Sequence, residues 1–157
     1  MSVKPMTMLL LLAVFSLASG IAAAQVEDVA VVVSSGNPAA NISRSDLRKI
    51  FAGMKRSWPS GEPVKLVTRG SGCIERLALL RLLEMSEGEY KQYWTAQIYR
   101  GEVDAEPLVI PSIGMQKEAL KLFPGAITLV NAADVKPGMK VIKVDGFLPG
   151  TPGYPLH

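Results

Sequence analysis

Hydrophobic residues fall along this chain in short blocks whose spacing alternates between the strand and helix periods. Val29 to Val33 is an unbroken apolar run rich in β-branched residues, as a strand buried on both faces requires. Ser34-Ser35-Gly36-Asn37-Pro38 ends it with turn chemistry. Ser43 then stands as an N-cap, with Asp46 three residues on and Ile42 placed to staple to Leu47. Leu47, Ile50 and Phe51 give that helix one apolar face, and Gly53 closes it. Val64 to Val67 reads as a second short strand.

Gly70-Ser71-Gly72 leads into another helix, where Ile74, Leu77, Leu79, Leu80, Leu82 and Leu83 leave little polar face, so a central position is expected. Ser86 with Glu89 forms a capping box opening a third helix that carries Tyr90, Tyr93, Trp94 and Ile98 and ends at Gly101. Leu108 to Ile110 reads as a strand. Met115, Ala119, Leu122 and Phe123 repeat at helical spacing up to a stop at Pro124-Gly125. Ala126 to Val130 and Met139 to Val144 are further strands, and the Gly- and Pro-rich tail from Asp145 is expected to lie irregularly on the surface. Strands alternating with helices predict an α/β domain with a mostly parallel sheet flanked by helices. No internal repeat, low-complexity tract or interdomain linker interrupts it.

The N-terminus follows a different rule. Lys4 supplies a short positive region, Met8 to Ala18 is almost wholly apolar, and Ala22-Ala23-Ala24 before Gln25 is a small-residue cleavage site. The apolar run is about half of the roughly 20 residues a spanning helix needs. Residues 1–24 are therefore expected to be a cleaved signal peptide and 25–157 one domain, delivered to the periplasm or secreted. No cysteine lies near the cleavage site, which excludes a lipoprotein. The net charge of +3 comes without any dense Lys/Arg run, so no nucleic-acid partner is implied. A single cysteine, Cys73, cannot form an internal disulfide, and the single histidine is the last residue, His157. Histidine-based triads and multi-histidine metal sites have no material to form from, and no cofactor is expected.

Candidate chemistry concentrates in Val64 to Cys73, which runs from a strand through a glycine-flanked serine into a helix. Ligands of open α/β sheets bind beyond the carboxyl ends of strands. The first amides of a helix lack intrahelical partners and carry the positive end of its dipole. Gly70 and Gly72 let a ligand approach the backbone, Ser71 offers a hydroxyl, and Arg69 offers a guanidinium fork suited to oxyanions. The alternative is a strand-to-helix turn whose glycines serve only geometry, with Arg69 solvated; both readings stand. Cys73, expected in the first turn of that helix where a thiol's pKa tends to fall, resembles a nucleophile by position, but it has no histidine to act as base. Trp58, Tyr90, Tyr93 and Trp94 read as core rather than as a stacking surface for sugars or bases.

On these residues the chain resembles a known family. Ile42-Ser43, Leu47, Ile50-Phe51, Gly53, Trp58 and Gly61 are similar to the "LS…L..IF.G….W..G" stretch of bacterial phosphate-binding proteins, the periplasmic components of ABC-type phosphate uptake. Gly70-Ser71-Gly72 falls where that family carries its ligand loop. Pro124-Gly125-Ala126-Ile127 resembles its "PGAIGYV" return strand, and Asp145-Gly146 with Tyr154-Pro155-Leu156 its "DG…YPL" segment. The resemblance covers almost the whole mature chain and implies one lobe of a type II periplasmic-binding-protein-like fold, the second of the family's two. It places an anion at Arg69, Gly70, Ser71, Gly72 and Cys73. Cys73 stands where the family has a phosphate-bonding threonine, Arg69 where it has an aspartate, and Thr128-Leu129 where it has Gly-Tyr. Only Ser71 carries over among the ligand side chains.

The resemblance implies an exported, non-enzymatic solute-binding-like protein that takes phosphate or another oxyanion for ABC-type uptake and meets an ABC permease or other envelope protein. The alternative is a periplasmic accessory or interaction protein that kept the fold and lost the ligand. Charge-assisted hydrogen bonds contribute about 1.5–3 kcal/mol each, so losing three donors of an absent lobe costs on the order of 5–9 kcal/mol. At about 1.4 kcal/mol per tenfold, that weakens micromolar binding beyond detection, unless a homodimer or a partner protein restores the missing wall.

Overall fold

The computed structural model describes residues 27–157; the expected leader, residues 1–24, lies outside them. Six strands form one sheet in the order β2-β6-β1-β5-β3-β4. They are β1 (Val29–Val33), β2 (Asn41–Ile42), β3 (Lys65–Arg69), β4 (Leu108–Ile110), β5 (Ala126–Asn131) and β6 (Lys140–Val144). Four helices accompany them: α1 (Arg44–Phe51), α2 (Ile74–Leu83), α3 (Glu87–Tyr99) and α4 (Ile113–Leu122). β3 runs parallel to β4 and β5, and β2 parallel to β6. β1 alone is reversed, antiparallel to β5 and β6 on either side, with Val31 opposite Leu129 and Ile142. The expected mostly parallel sheet is present, with one antiparallel strand at its middle. All five side chains of β1 are fully buried, which is why its sequence shows no alternation.

Two hydrophobic clusters cover the two faces. Val29, Val31 and Val33 pack with Leu47, Phe51, Leu79, Trp94 and Ile127 on one side. Ala30 and Val32 pack with Val67, Leu120, Ala126 and Val130 on the other. Trp58, Tyr90 and Trp94 are core residues, as their spacing implied. Tyr93 is partly buried and donates its hydroxyl to the Ala52 carbonyl at 2.6 Å. The Ser43 cap and the Ser86–Glu89 capping box form as expected.

Three expectations need correction. The inward face of α4 is Gln116, Ala119 and Leu120, while Met115 and Leu122 are exposed. Reading Met115 and Leu122 as core rotated the helix by one position, because Gln116 looks polar in sequence yet is 0% exposed. In α2, Leu77 is half exposed, and Glu75 and Arg76 are buried in its place. The tail is irregular but does not stay on the surface. Tyr154 and Leu156 are buried; the Tyr154 hydroxyl donates to the Val29 carbonyl at 2.7 Å, and the Val29 amide donates to the Leu156 carbonyl at 3.0 Å. Among the described residues, no helix is long and apolar enough to cross a membrane.

Candidate functional site

The parallel strands β3, β4 and β5 end together at Arg69, Ile110 and Asn131, with Arg69 opposite Ile110 in the register. Helices α1, α2 and α4 start at this carboxyl end, and their first turns differ. In α1 the Ser43 hydroxyl accepts from the Asp46 amide at 3.0 Å, and the Asp145 carboxylate accepts from the Arg44 amide at 2.9 Å. In α4 the Ser112 hydroxyl accepts from the Met115 amide at 3.2 Å. In α2 the N-cap is Cys73, whose side chain makes no capping bond. The first turn of α2 therefore lacks the side-chain acceptor that the other two possess.

The loop above that turn is open. A side-chain carbon placed on Gly70 or Gly72 would meet no atom within 4 Å, and Ser71 is exposed. Gly72 has φ +88°, the left-handed region in which a residue with a side chain is strained, so the loop's shape depends on that glycine. Neither of two larger hollows, of about 380 and 280 Å³, is lined by any of residues 69–73.

Arg69 stands differently from a solvated guanidinium. Its side chain is mostly buried, with Nη1 3.4 Å from the Gln116 side-chain oxygen and 3.9 Å from Glu75 Oε1. Nη2 lies 3.8 Å from Cys73 Sγ, and Nε is buried without a partner. Glu75 also accepts from the Asn131 amide at 3.3 Å, and Gln116 donates to Thr128 Oγ1 and the Leu129 carbonyl at 2.8 Å each. Arg69 and Cys73 thus join a polar cluster beneath the loop, with Gly70, Ser71 and Gly72 on its outer side. Periodicity could not reveal Gln116, Glu75 and Thr128 as members, since each is a polar residue buried by partners remote in sequence.

Cys73, expected inside the first turn of α2, is instead its N-cap, with extended backbone one position before the helix, and is partly buried. The chain's single histidine, His157, has Nδ1 3.0 Å from the Asp28 carboxylate. Among the described residues no three His, Cys, Asp or Glu side chains gather as a metal-binding group.

Beside the loop lies a cleft of about 200 Å³, bounded by Gly70 and Ser71, by Arg76, Glu87 and Tyr90, and by Val109. Arg76 forms two hydrogen bonds with the Glu87 carboxylate, at 2.7 and 3.1 Å, and its guanidinium lies 4.0 Å from the Tyr90 ring centroid. The hydrogen bond from Arg76 holds the Glu87 carboxyl below the usual carboxylate range. Burial raises the Tyr90 hydroxyl above an ordinary tyrosine. Arg76 Nη1, the Tyr90 hydroxyl and Trp94 Nε1 are enclosed beside one another, without a well-formed hydrogen bond among the described residues.

This geometry has relatives. The family model of the PBP superfamily domain matches residues 23–151. The fold is similar to that of an ABC-type phosphate transport receptor from Vibrio cholerae, at TM-score 0.62 and 22% identity, covering 78% of this chain and 48% of that one. It is also similar to a structure assigned as a phosphate ABC transporter substrate-binding protein from Clostridium perfringens, with phosphate bound, at TM-score 0.64 and 18% identity over 83% and 52% of the two chains. PstS from Borrelia burgdorferi gives TM-score 0.57 at 17% identity, over 78% and 49%. The chain spans about half the length of these structures. No curated protein matches it in sequence. With its sheet, its helix starts and its matched span taken together, the chain belongs to the PBP superfamily, of which it forms a single lobe.

Proposed function

We propose that this protein is an exported solute-binding domain that holds phosphate or a similar oxyanion on Gly70-Ser71-Gly72 at the start of α2. One observation carries the reading: α2 opens without a side-chain acceptor beneath a loop with free space over both glycines, whereas α1 and α4 are capped. Unpaired amides and the helix dipole there favour an anion. Arg69 and Cys73 support the loop from below. Because Arg69 is shared with Glu75 and Gln116, its charge adds less than a free guanidinium would. The expected leader would carry the chain to the periplasm, and the half-length match fits a lobe that meets an ABC permease, a second copy or another envelope protein over the open loop.

The test is thermal unfolding of the purified protein in phosphate, with sulfate as the comparison. Binding raises the melting temperature by mass action, about 2.7 kcal/mol of stabilisation at a hundredfold excess over Kd. An unchanged melting curve in millimolar phosphate and sulfate sinks the reading.

The pairing of Arg69 with Glu75 favours a second reading, an envelope accessory protein that kept the fold and gave up the ligand. It requires no anion effect together with a defined complex, such as a cross-link to a permease subunit. A protein that stays monomeric and unaccompanied in envelope extracts removes that alternative.

A further inference from the structure

We propose that the α4 side of the sheet is a docking surface for an anionic phospholipid bilayer, independent of what the glycine loop binds. Three helices cover one face of the sheet, while α4 and the segment 132–139 cover the other. The cations that reach solvent on this second side are lysines. Lys117 and Lys121 stand on one flank of α4. Lys117 also lies against the segment that carries Lys136, its Cε 3.8 Å from where a Cβ on Gly138 would stand. In β6, Val141 packs into the α4-side cluster and Ile142 into the other, so Lys143 projects, exposed, on the α4 side. From the start of α4 to the end of β6 the acidic residues are two, Glu118 and Asp134, and Lys121 holds Glu118 at 2.8 Å. On the other flank of α4, Met115 and Leu122 lie two turns apart, 50% and 72% exposed.

Composition and shape favour lipid over a protein partner. Protein interfaces are enriched in aromatic residues and arginine, depleted in lysine, and seat anchor side chains in pockets. From Ile113 to Val144 the chain contains no arginine, tryptophan or tyrosine. The hollows of about 380, 280 and 200 Å³ all open elsewhere. A bilayer surface asks for no pocket. It is met by flexible cations at headgroup level and by apolar side chains that dip just below it. Lysine suits the first task, because its stem lies along apolar surface while its ammonium stays in water. Met115 and Leu122 suit the second. The surface complements anionic headgroups in charge, and its few contacts make the attachment reversible.

The experiment is co-sedimentation of the purified protein with vesicles of phosphatidylcholine, alone or mixed with phosphatidylglycerol. Each lysine near an anionic bilayer contributes about fivefold to partitioning. The expected result is partitioning at least about tenfold stronger onto the anionic vesicles, and lost at about 1 M salt, where the Debye length is about 3 Å. Lys136→Glu with Lys143→Glu should lower it at least about twentyfold, and Leu122→Gln about threefold. Lys49→Glu with Arg100→Glu, on the opposite side and equal in net charge, should change it by less than about threefold. Melting curves check that each variant folds. Absence of sedimentation with anionic vesicles overturns the proposal. Equal losses in the two charge-reversed pairs also overturn it, since binding would then follow net charge alone. Release by inorganic phosphate at matched ionic strength would put the lipid phosphate on the glycine loop and overturn the assignment to α4. An envelope protein bound through Lys136 and Lys143, without vesicle binding, would give the surface to an acidic protein instead.

Discussion

Trp58 donates its indole N–H to the carbonyl oxygen of Gly125 at 3.0 Å, and the Lys65 amide donates to the same oxygen at 3.0 Å. One carbonyl thereby ties the segment after α1 to the start of β3 and to the turn before β5. The packing there leaves no room for a side chain: a Cβ on Gly125 would stand 1.8 Å from the Pro63 carbonyl oxygen. Gly125→Ala must push backbone from backbone, and we expect a loss of about 3 kcal/mol in chemical denaturation. A near-neutral result would mean that the Pro63 strand edge yields freely.

Cys73→Asp should act in two opposite ways at once. A carboxylate at the N-cap accepts from the first-turn amides and should stabilise the protein by about 1 kcal/mol. The same carboxylate occupies the place proposed for the ligand, so the phosphate-induced rise in melting temperature should vanish. Stabilisation with the phosphate effect intact would place the anion elsewhere.

The Arg76–Glu87 pair predicts an acid dependence. Glu87 is held below its ordinary range by the Arg76 hydrogen bond, so its folded value is depressed relative to the unfolded chain. Its stabilisation is complete above the unfolded carboxylate range and is lost as pH falls through the folded value. The Glu87 side chain is about one-third exposed, which limits the effect to about 1 kcal/mol. Glu87→Gln should therefore be less stable than wild type at pH 7 and converge with it in acid. Part of the acid limb should persist, since Glu89 is also lowered, by its bond to the Ser86 amide.

Tyr154 predicts the alkaline limb. Its buried hydroxyl is raised well above an ordinary tyrosine. Above about pH 10 the unfolded chain releases this proton while the folded chain keeps it, so stability falls as pH rises. Tyr154→Phe loses its bond to Val29, about 1 kcal/mol at pH 7, and should be less sensitive between pH 9 and 11. Equal alkaline slopes in denaturant titrations would contradict this.

The fold was readable where a residue's role depends on its near neighbours in sequence. The Ser43 and Ser86 caps, the glycine stops and the unbroken valines of β1 all encode their state within a few positions. The errors arose where burial depends on remote partners. Gln116 is inward because Thr128 and the Leu129 carbonyl satisfy its amide. Glu75 is inward because Asn131 and Arg69 meet it. The same limit applied to the candidate site. Strand, glycines and helix start identified residues 69–73, but a pattern of residue types cannot tell a free Arg69 from one held against Gln116. Arg76, which no local pattern marks, becomes a cleft wall through Glu87 and Tyr90, which lie on the next helix.

The bond between Val29 and Leu156 brings the beginning and the end of the described chain together beside Asn131, at the edge that bears the glycine loop. In connectivity the domain is close to a ring, and a short peptide would bridge the gap. Material fused at either end would emerge at the same edge of the sheet as the glycine loop, so a tag, a tether or a second lobe attached there would share that edge with it.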